Sequence, residues 1–397
     1  MGNCTGGDTE MPELSPTALF INAEKTFYRI PALIYIDQTF LAFAEKRTSP
    51  KDEDAKLLVF NRGTRLQDGS VKWSGVRELT EAQMPDHRTM SPCPVYDKRT
   101  ECLFLFFNCV YDSVSEYCQI NTGKNVAKLC YIKSKDKGES WTDFTDLTER
   151  VIGDEIHNWA TFSVGPGHGL QMTDGRLIVP AYVYYKDRPC GKLCCCVNLI
   201  CWANFCFCVN LCGCGDCGCC ASHYSFAFYS DDHGANWKFG KRLSVTSTEC
   251  EMAEVEIKGK KVLYCSARGT EGYRVEALSE DRGESFQVIQ SNSKLVEPPK
   301  GCQGSVVSFK HDDKTWLMFS HTTDKKDRMN LGIYLNKTPE DPSGWTEPKI
   351  INPSSSAYSD VVQCGEKNFA CLLERKTVNC EEIAFVEFKL NYINPNL

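Results

Sequence analysis

Three stretches of the chain repeat one eight-residue pattern: SKDKGESW at 134–141, SDDHGANW at 230–237 and SEDRGESF at 279–286. Each reads Ser-x-Asp-x-Gly-x-x-aromatic, the chemistry of a tight hairpin turn. The Asp accepts backbone N–H groups inside the turn, and the Gly takes a positive φ. The aromatic then packs beneath the hairpin and staples it to the next sheet. DPSGWTEP around Trp345 is a degenerate fourth copy and DGSVKWSG around Trp73 a fifth. Between the turns run short β-like segments such as TFLAFAEK, CLFLFFNCV, RLIVPAYVYY, KVLYCSAR and EIAFVEFKL, and long amphipathic helical stretches are scarce. Short strands with a recurring aromatic turn predict an all-β fold built by radial repetition. Ser230 to Ser279 spans 49 residues, enough for one four-stranded antiparallel blade and a loop. Over the whole chain this spacing predicts a six-bladed β-propeller, with a β-sandwich pair as the competing architecture. Residues 1–397 are read as one propeller domain carrying a cysteine-rich insertion at 190–222.

Composition narrows the function. Hydrophobic content of 42% and charged content of 24% suit a globular chain with a sizeable core. The formal charge is −7, and no basic patch interleaves with aromatics, so nucleic-acid binding is not expected. The N-terminus has no charged region leading into an apolar run and a small-residue cleavage site. The expectation is therefore an intracellular protein with reduced thiols. Its 24 cysteines are uneven: twelve lie between Cys190 and Cys220, and the others are scattered singly. Cys93, Cys109 and Cys265 sit among apolar residues and read as small core hydrophobes.

The segment TFYRIPALIYI, residues 26–36, sets a problem of charge. Strict strand alternation puts Arg29 on the face of Phe27, Leu33 and Tyr35. A buried guanidinium without a partner is costly, and arginine does not escape by losing its proton. Pro31 is tolerated only on an edge strand, and the innermost strand of a propeller blade is such an edge. Arg29 is thus expected to face a central polar channel and to meet an anion there.

The combination of YRIP with Ser-x-Asp-x-Gly-x-x-Trp turns resembles the sialidase (neuraminidase) family. FLAFAEKR, HRTMSPCPVYD, FSVGPGHG, LYCSAR, EPPKGCQGSVVSF and LGIYLN are similar to vertebrate sialidases, most of all the plasma-membrane, ganglioside-preferring type. The resemblance covers nearly the whole chain outside the insertion. It implies an exo-α-sialidase acting on sialylated glycolipids and glycoproteins, with retention and without a metal or organic cofactor.

Sialic acid carries a carboxylate on its anomeric carbon, and arginine grips carboxylate in a planar two-pronged geometry. The resemblance implies a clamp of three arginines: Arg29, Arg268 in CSARG, and Arg328 in KKDRMNLGIY. Lys325 and Lys326 are neighbouring alternatives to the third, and the distance to LGIYLN favours Arg328. A carboxylate nucleophile would be repelled by the substrate's own carboxylate, whereas a neutral phenol is not. The family pattern makes Tyr358 in SAYSD the nucleophile and Glu249 in STECEMAEVE its base. Alternation puts Glu251 on the same face, and Glu254 and Glu256 crowd the stretch, so the choice of Glu249 rests on resemblance. Asp52 in SPKDEDAK matches the acid/base aspartate, with Glu53 and Asp54 as chemical competitors. Glu374 in CLLER is expected to pair with Arg29. Arg47 is expected at the sugar's 4-hydroxyl side, Met90 at its N-acetyl group, and Tyr182 and Tyr184 at the acyl or glycerol arms. Glu116 and Gln303 are expected as further sugar contacts.

The insertion contains LCCCVNLICWANFCFCVNLCGCG, residues 193–215, without a charged residue. Its length would span a bilayer, but one crossing would strand the later blades on the opposite side. Zinc is disfavoured because the spacing gives no separated pair of Cys-x-x-Cys knuckles and His223 is the only nearby imidazole. Peripheral membrane attachment fits better, since Leu193, Val197, Leu199, Ile200, Trp202, Phe205 and Phe207 supply apolar area and the cysteines are candidates for acylation. MGNCTGG is a second candidate anchor, although Gly6 replaces the usual Ser/Thr. The expected location is therefore membrane-associated, with a cytoplasmic pool. A sialoglycan-binding propeller without catalysis is the rival function, and a transglycosylating enzyme a lesser one.

Overall fold

The computed structural model describes residues 14–186, 221–289, 294–378 and 380–395. Residues 190–220 of the insertion and the N-terminal MGNCTGG lie outside them. Among the described residues the chain is all-β, and its two α-helices, Glu116–Thr122 and Leu390–Ile393, are short.

Four sheets of antiparallel strands follow one another along the chain. The first is Phe27–Ile36, Thr39–Arg47, Ala55–Arg65 and Val71–Glu78. The second is His87–Asp97, Cys102–Tyr111, Ala127–Ser134 and Thr142–Asp146. The third runs Trp159–Val164, Leu177–Lys186, Ala221–Ser230 and Lys238–Phe239, with Leu170–Gln171 also on Leu177–Lys186. The fourth is Cys250–Ile257, Lys260–Ala267, Val275–Ser279 and Gln287–Ile289. A last sheet has seven strands because the 15-residue strand Lys349–Gln363 serves two groups. Its first half pairs with Met329–Asn336, beyond which lie Lys314–Thr322 and Ser305–His311. Its second half pairs with Asn368–Lys376, followed by Glu381–Lys389 and the N-terminal strand Thr17–Ile21.

The second sheet shows why CLFLFFNCV is apolar without a break. Leu103, Leu105, Phe107 and Cys109 face the core shared with the first sheet, while Phe104, Phe106 and Val110 face the core shared with the third. A strand covered on both faces loses the apolar–polar alternation of a half-exposed one. Cys93 and Cys109 are fully buried in these cores, and Cys265 in the core between the third and fourth sheets.

The repeated turns form as their chemistry requires. Ser134, Ser230 and Ser279 each accept the backbone N–H of the turn glycine, at 2.8, 2.8 and 2.7 Å. Asp136, Asp232 and Asp281 each accept the N–H four residues on, at 2.9, 2.7 and 2.8 Å. The aromatics staple each turn to the preceding sheet rather than the following one. Trp141 packs edge-on against Phe43 and Phe60 of the first sheet, and Trp237 against Phe104 and Phe106 of the second. Trp345 reaches back in the same way to Tyr264 of the fourth sheet, and Trp73 packs on Phe385 near the chain's end.

Phe27–Ile36 is an edge strand, which accommodates Pro31. Strict alternation fails there, because the register slips between Arg29 and Ala32. Arg29 pairs with Glu45 and Ala32 with Phe43, so Arg29 falls in step with Ala32 and Ile34 rather than with Leu33 and Tyr35. Ile30 occupies the bulge at φ 61°, a costly conformation for a β-branched residue.

Candidate active site

Strands and flanking loops of all five sheets line a cavity of about 450 Å³. It is lined by every residue expected from sequence except Glu374 and Gln303. A larger cavity of about 740 Å³, beside Trp159, Tyr224 and Arg242, contains none of them.

Tyr358 is the hub. Its hydroxyl donates a short hydrogen bond to Glu249 Oε1, and Glu249 Oε2 takes Arg268 Nη1 at 2.7 Å. The same Nη1 donates to the Tyr358 oxygen at 3.2 Å. The guanidinium carbons of Arg29 and Arg328 stand 5.4 and 5.6 Å from the Tyr358 ring centroid. Three arginines from separate parts of the chain thus converge on one phenol. Burial first, and then Glu249, hold that phenol well above its usual pKa against the pull of Arg268 and Arg328. Among the carboxylates that competed with Glu249, Glu251 is buried below, Glu254 binds Thr173 and Glu256 binds Lys261 and Lys310.

Each arginine has a dedicated support. Arg29 Nε donates to Glu374 Oε1 at 2.8 Å, as the sequence suggested. Arg268 donates through Nε and Nη2 to the carbonyl of Lys300, at 2.9 and 2.6 Å. Arg328 Nη2 donates to the next carbonyl, Gly301, at 3.0 Å. Gly301 has φ 69°, and a Cβ there would lie 2.8 Å from Arg268 Cγ, so the loop needs glycine to approach.

Asp52 opens a short 3-10 turn, Asp52–Asp54, and receives Arg47 Nη1 at 2.6 Å. Its side chain is 56% exposed, and Asp54 is instead taken by Ser49 Oγ at 2.5 Å. Arg47 also donates from Nε to Glu45 at 2.8 Å, where both side chains are fully buried. Glu45 was not singled out in the sequence, although it lies two residues before Arg47 on the same strand face. Arg88 was also missed; it donates to Met90 Sδ at 3.2 Å and to the carbonyl of Val114 at 2.7 Å. The latter bond fixes the approach to the helix that begins at Glu116.

Across the cavity, Tyr182 donates to Glu116 Oε1 at 3.2 Å, and the Tyr182 and Tyr184 rings lie 6.2 Å apart. Burial, then Asp52 and Glu249, push the Glu116 carboxyl up to about 7. Gln303 does not stand where a sugar contact is expected. Its Nε2 donates to the carbonyl of Ser359 at 2.9 Å and its Oε1 accepts the Ser359 N–H at 3.0 Å. Both ends of the amide are spent on the backbone next to Tyr358, and the side chain is buried beneath the cavity.

Residues 38–371 match the BNR repeat-like domain family. The chain is 43% identical to human Sialidase-3 over 90% of its own length and 88% of that protein, and 42% identical to mouse Sialidase-2 over 93% and 94%. Identities this close do not separate the two types. The fold is similar to that of the Hadza microbial sialidase Hz136, with a TM-score of 0.71 at 19% identity, covering 92% of this chain and 66% of that one, just under two thirds. With relatives this similar along nearly its full length, the chain belongs to the sialidase family.

Proposed function

We propose that this exo-α-sialidase, a glycoside hydrolase, works with retention through a covalent bond to Tyr358. The observation that carries the reading is the convergence of Arg29, Arg268 and Arg328 on a tyrosine already hydrogen-bonded to a carboxylate. The three guanidiniums bind the substrate carboxylate and hold the anomeric carbon over the phenol. Tyr358 oxygen attacks that carbon as its proton passes to Glu249, while Asp52 in its acid form protonates the departing glycosidic oxygen. In the second half, Asp52 takes a proton from water, the water oxygen bonds to the anomeric carbon, and the tyrosyl oxygen leaves and recovers its proton from Glu249. The products are sialic acid and the shortened glycan. Glu374 orients Arg29; Arg47 orients Asp52 and reaches the 4-hydroxyl side; Met90, Glu116, Tyr182 and Tyr184 contact the N-acetyl and glycerol arms. No step draws on a metal or organic cofactor.

The domain is read as a single six-bladed propeller. In support, Phe27–Ile36 touches both His87–Asp97 and Lys349–Gln363, while Ser305–His311 touches both Cys250–Ile257 and Lys349–Gln363. Leu177–Lys186, next to the edge strand Trp159–Val164 of the third sheet, touches both His87–Asp97 and Cys250–Ile257. Dividing the seven-stranded sheet at the middle of Lys349–Gln363 gives the fifth and sixth blades, and Trp73 against Phe385 joins the first to the last.

Residues 190–220 are read as a peripheral membrane anchor that presents the cavity to sialylated glycolipids and to glycoproteins. Lys186 and Ala221, which flank the segment, pair at the end of the two strands that carry Tyr184 and His223 to the cavity. Among the described residues no helix is long and apolar enough to cross a membrane. Deleting 190–220 and finding the same fraction bound to membranes would remove this part of the reading.

The mechanism is tested with an aryl sialoside and with 2,3-difluorosialic acid. The parent is expected to turn over the first and to acquire one sialyl adduct on Tyr358 from the second; Tyr358→Phe is expected to do neither. Binding without turnover by the parent would make the protein a lectin.

A further inference from the structure

The pair at the cavity floor is repeated one pleat deeper. Tyr358 and Glu249 meet at the cavity, and two residues further along the chain from each, Asp360 and Glu251 stand fully buried. His168 lies between these two carboxylates, its Nδ1 2.7 Å from Asp360 Oδ1 and 3.5 Å from Glu251 Oε1. Its backbone N–H also donates to Glu251 Oε1 at 3.0 Å. Gly167 makes this approach possible: at φ 113°, a Cβ there would lie 1.9 Å from Glu251 Oε1.

The remaining bonds tie the layer to other sheets. Asp360 accepts the Leu33 N–H at 2.6 Å and Ser305 Oγ at 2.9 Å, and Glu251 Oε2 accepts the Val306 N–H at 2.6 Å. The ligand-type atoms of His168, Glu251 and Asp360 lie within 4.8 Å of one another, yet they are committed to each other and to these donors. The group is therefore a closed ionic network. Burial first, and then the charge of Asp360, push the Glu251 carboxyl well above its ordinary range, and a cation between the two opposes that rise.

We propose that His168 is a positioning residue: its imidazolium clamps Glu251 to Asp360 and so fixes Glu249 against Tyr358 one layer above. The inference rests on Tyr358 and Glu249 acting as nucleophile and base. Burial alone would lower the imidazole pKa, but Asp360 and then Glu251 outweigh it and carry it to about 9. The other titratable groups facing the layer among the described residues are the Cys93 and Cys371 thiols, both pushed up by burial and by the same two carboxylates. A histidine raised from its unfolded value of about 6.5 stabilises the fold fully below that pH and loses the contribution as pH rises through about 9.

The test is His168→Gln, which keeps an N–H donor but not the charge. Expected are a kcat lower by about ten- to a hundredfold, a KM within about twofold because the arginines are untouched, and loss of the wild-type fall in melting temperature near pH 9. Where the single variant folds poorly, His168→Gln with Glu251→Gln removes both charges and is expected to regain melting temperature while kcat stays low. Wild-type kcat in His168→Gln, or no recovery in the double variant, overturns the clamp. The difluorosialic acid adduct separates the two levels. Wild-type protein unlabelled at Tyr358 overturns the reading beneath the inference, whereas normal labelling with an unaffected His168→Gln overturns the clamp alone.

Discussion

Glu374 supports Arg29 twice over, accepting both its Nε and the backbone N–H of the next residue on one oxygen, each at 2.8 Å. That next residue is Ile30, held at φ 61°, so one carboxylate balances a charge and secures a strained bulge. Glu374→Gln keeps an acceptor but removes the charge. We expect KM for an aryl sialoside to rise about tenfold, equivalent to about 1.4 kcal/mol of binding, and stability to fall by about 1–3 kcal/mol. Burial opposes the Glu374 carboxylate, but Arg29 outweighs it and holds its pKa below the usual range. Its stabilising contribution is therefore present above its unfolded value of about 4.3 and is lost as pH falls through the folded value. Urea unfolding between pH 3 and 6 checks the sign; an acid limb of stability that is the same in the variant counts against it.

Asp52 is bound to Arg47 on one oxygen only, at 2.6 Å, and more than half of its side chain is exposed. An acid that protonates the leaving oxygen matters less when the leaving group is already stable as an anion. Asp52→Asn should lower kcat/KM by about 10²–10⁴ on an alkyl-linked sialoside and far less on a nitrophenyl sialoside. Equal losses on the two substrates would argue for a purely structural Asp52.

Glu116 has its carboxyl pushed up to about 7, first by burial and then by Asp52 and Glu249. It is therefore largely neutral at pH 5 and charged at pH 8, when it repels an anionic substrate. Its folded pKa lies above the unfolded value of about 4.3, so the same ionisation withdraws stability as pH rises through 7. We expect KM to climb between pH 6 and 8 in the parent and to stay flatter in Glu116→Gln. Parallel KM profiles would show that Glu116 does not face the substrate's charge.

Motif-bearing parts of the site were legible in the sequence, and supports lying between motifs were not. YRIP, CSARG and SAYSD carry their own identity, and Glu374, Glu249 and Asp52 followed from resemblance. Glu45 was readable by alternation alone, two residues before Arg47. His168 was not: FSVGPGHG carried only the family resemblance, with no strand pattern to orient its histidine, and only tertiary packing brings its imidazole to Asp360. The face assigned to Arg29 was wrong because strand periodicity assumes an unbroken register, and the bulge at Ile30–Pro31 shifts it by one. Gln303 falls outside the cavity lining for a related reason. It lies between the isolated bridge at Val296 and the strand beginning at Ser305, with no strand pattern to orient its side chain.

The turn at Ser230–Trp237 is a test of the stapling. Gly234 has φ 82°, and a Cβ there would fall 2.3 Å from the Phe104 ring of the preceding sheet. Gly234→Ala is expected to cost about 1–3 kcal/mol through overpacking and the unfavourable φ. Trp237→Ala is expected to cost about 3–5 kcal/mol, since its ring lies 4.6 Å from Phe106. Thermal unfolding of both variants measures this, and an unaltered melting temperature in Gly234→Ala would mean that the turn is not clamped to the second sheet.

Gln303 separates two kinds of contribution to the same reaction. A sugar contact removed from the cavity weakens substrate binding and appears mainly in KM. A clamp on the backbone beside the nucleophile acts differently: with both Ser359 bonds lost, Tyr358 shifts against Glu249 while the arginines keep their supports on Lys300 and Gly301. Gln303→Ala should therefore lower kcat about tenfold with KM within about twofold, and slow the formation of the difluorosialyl adduct by a similar factor. It should also destabilise the fold by about 1–3 kcal/mol, because two buried backbone groups lose their partners. A tenfold rise in KM with kcat preserved would instead return Gln303 to the substrate's side.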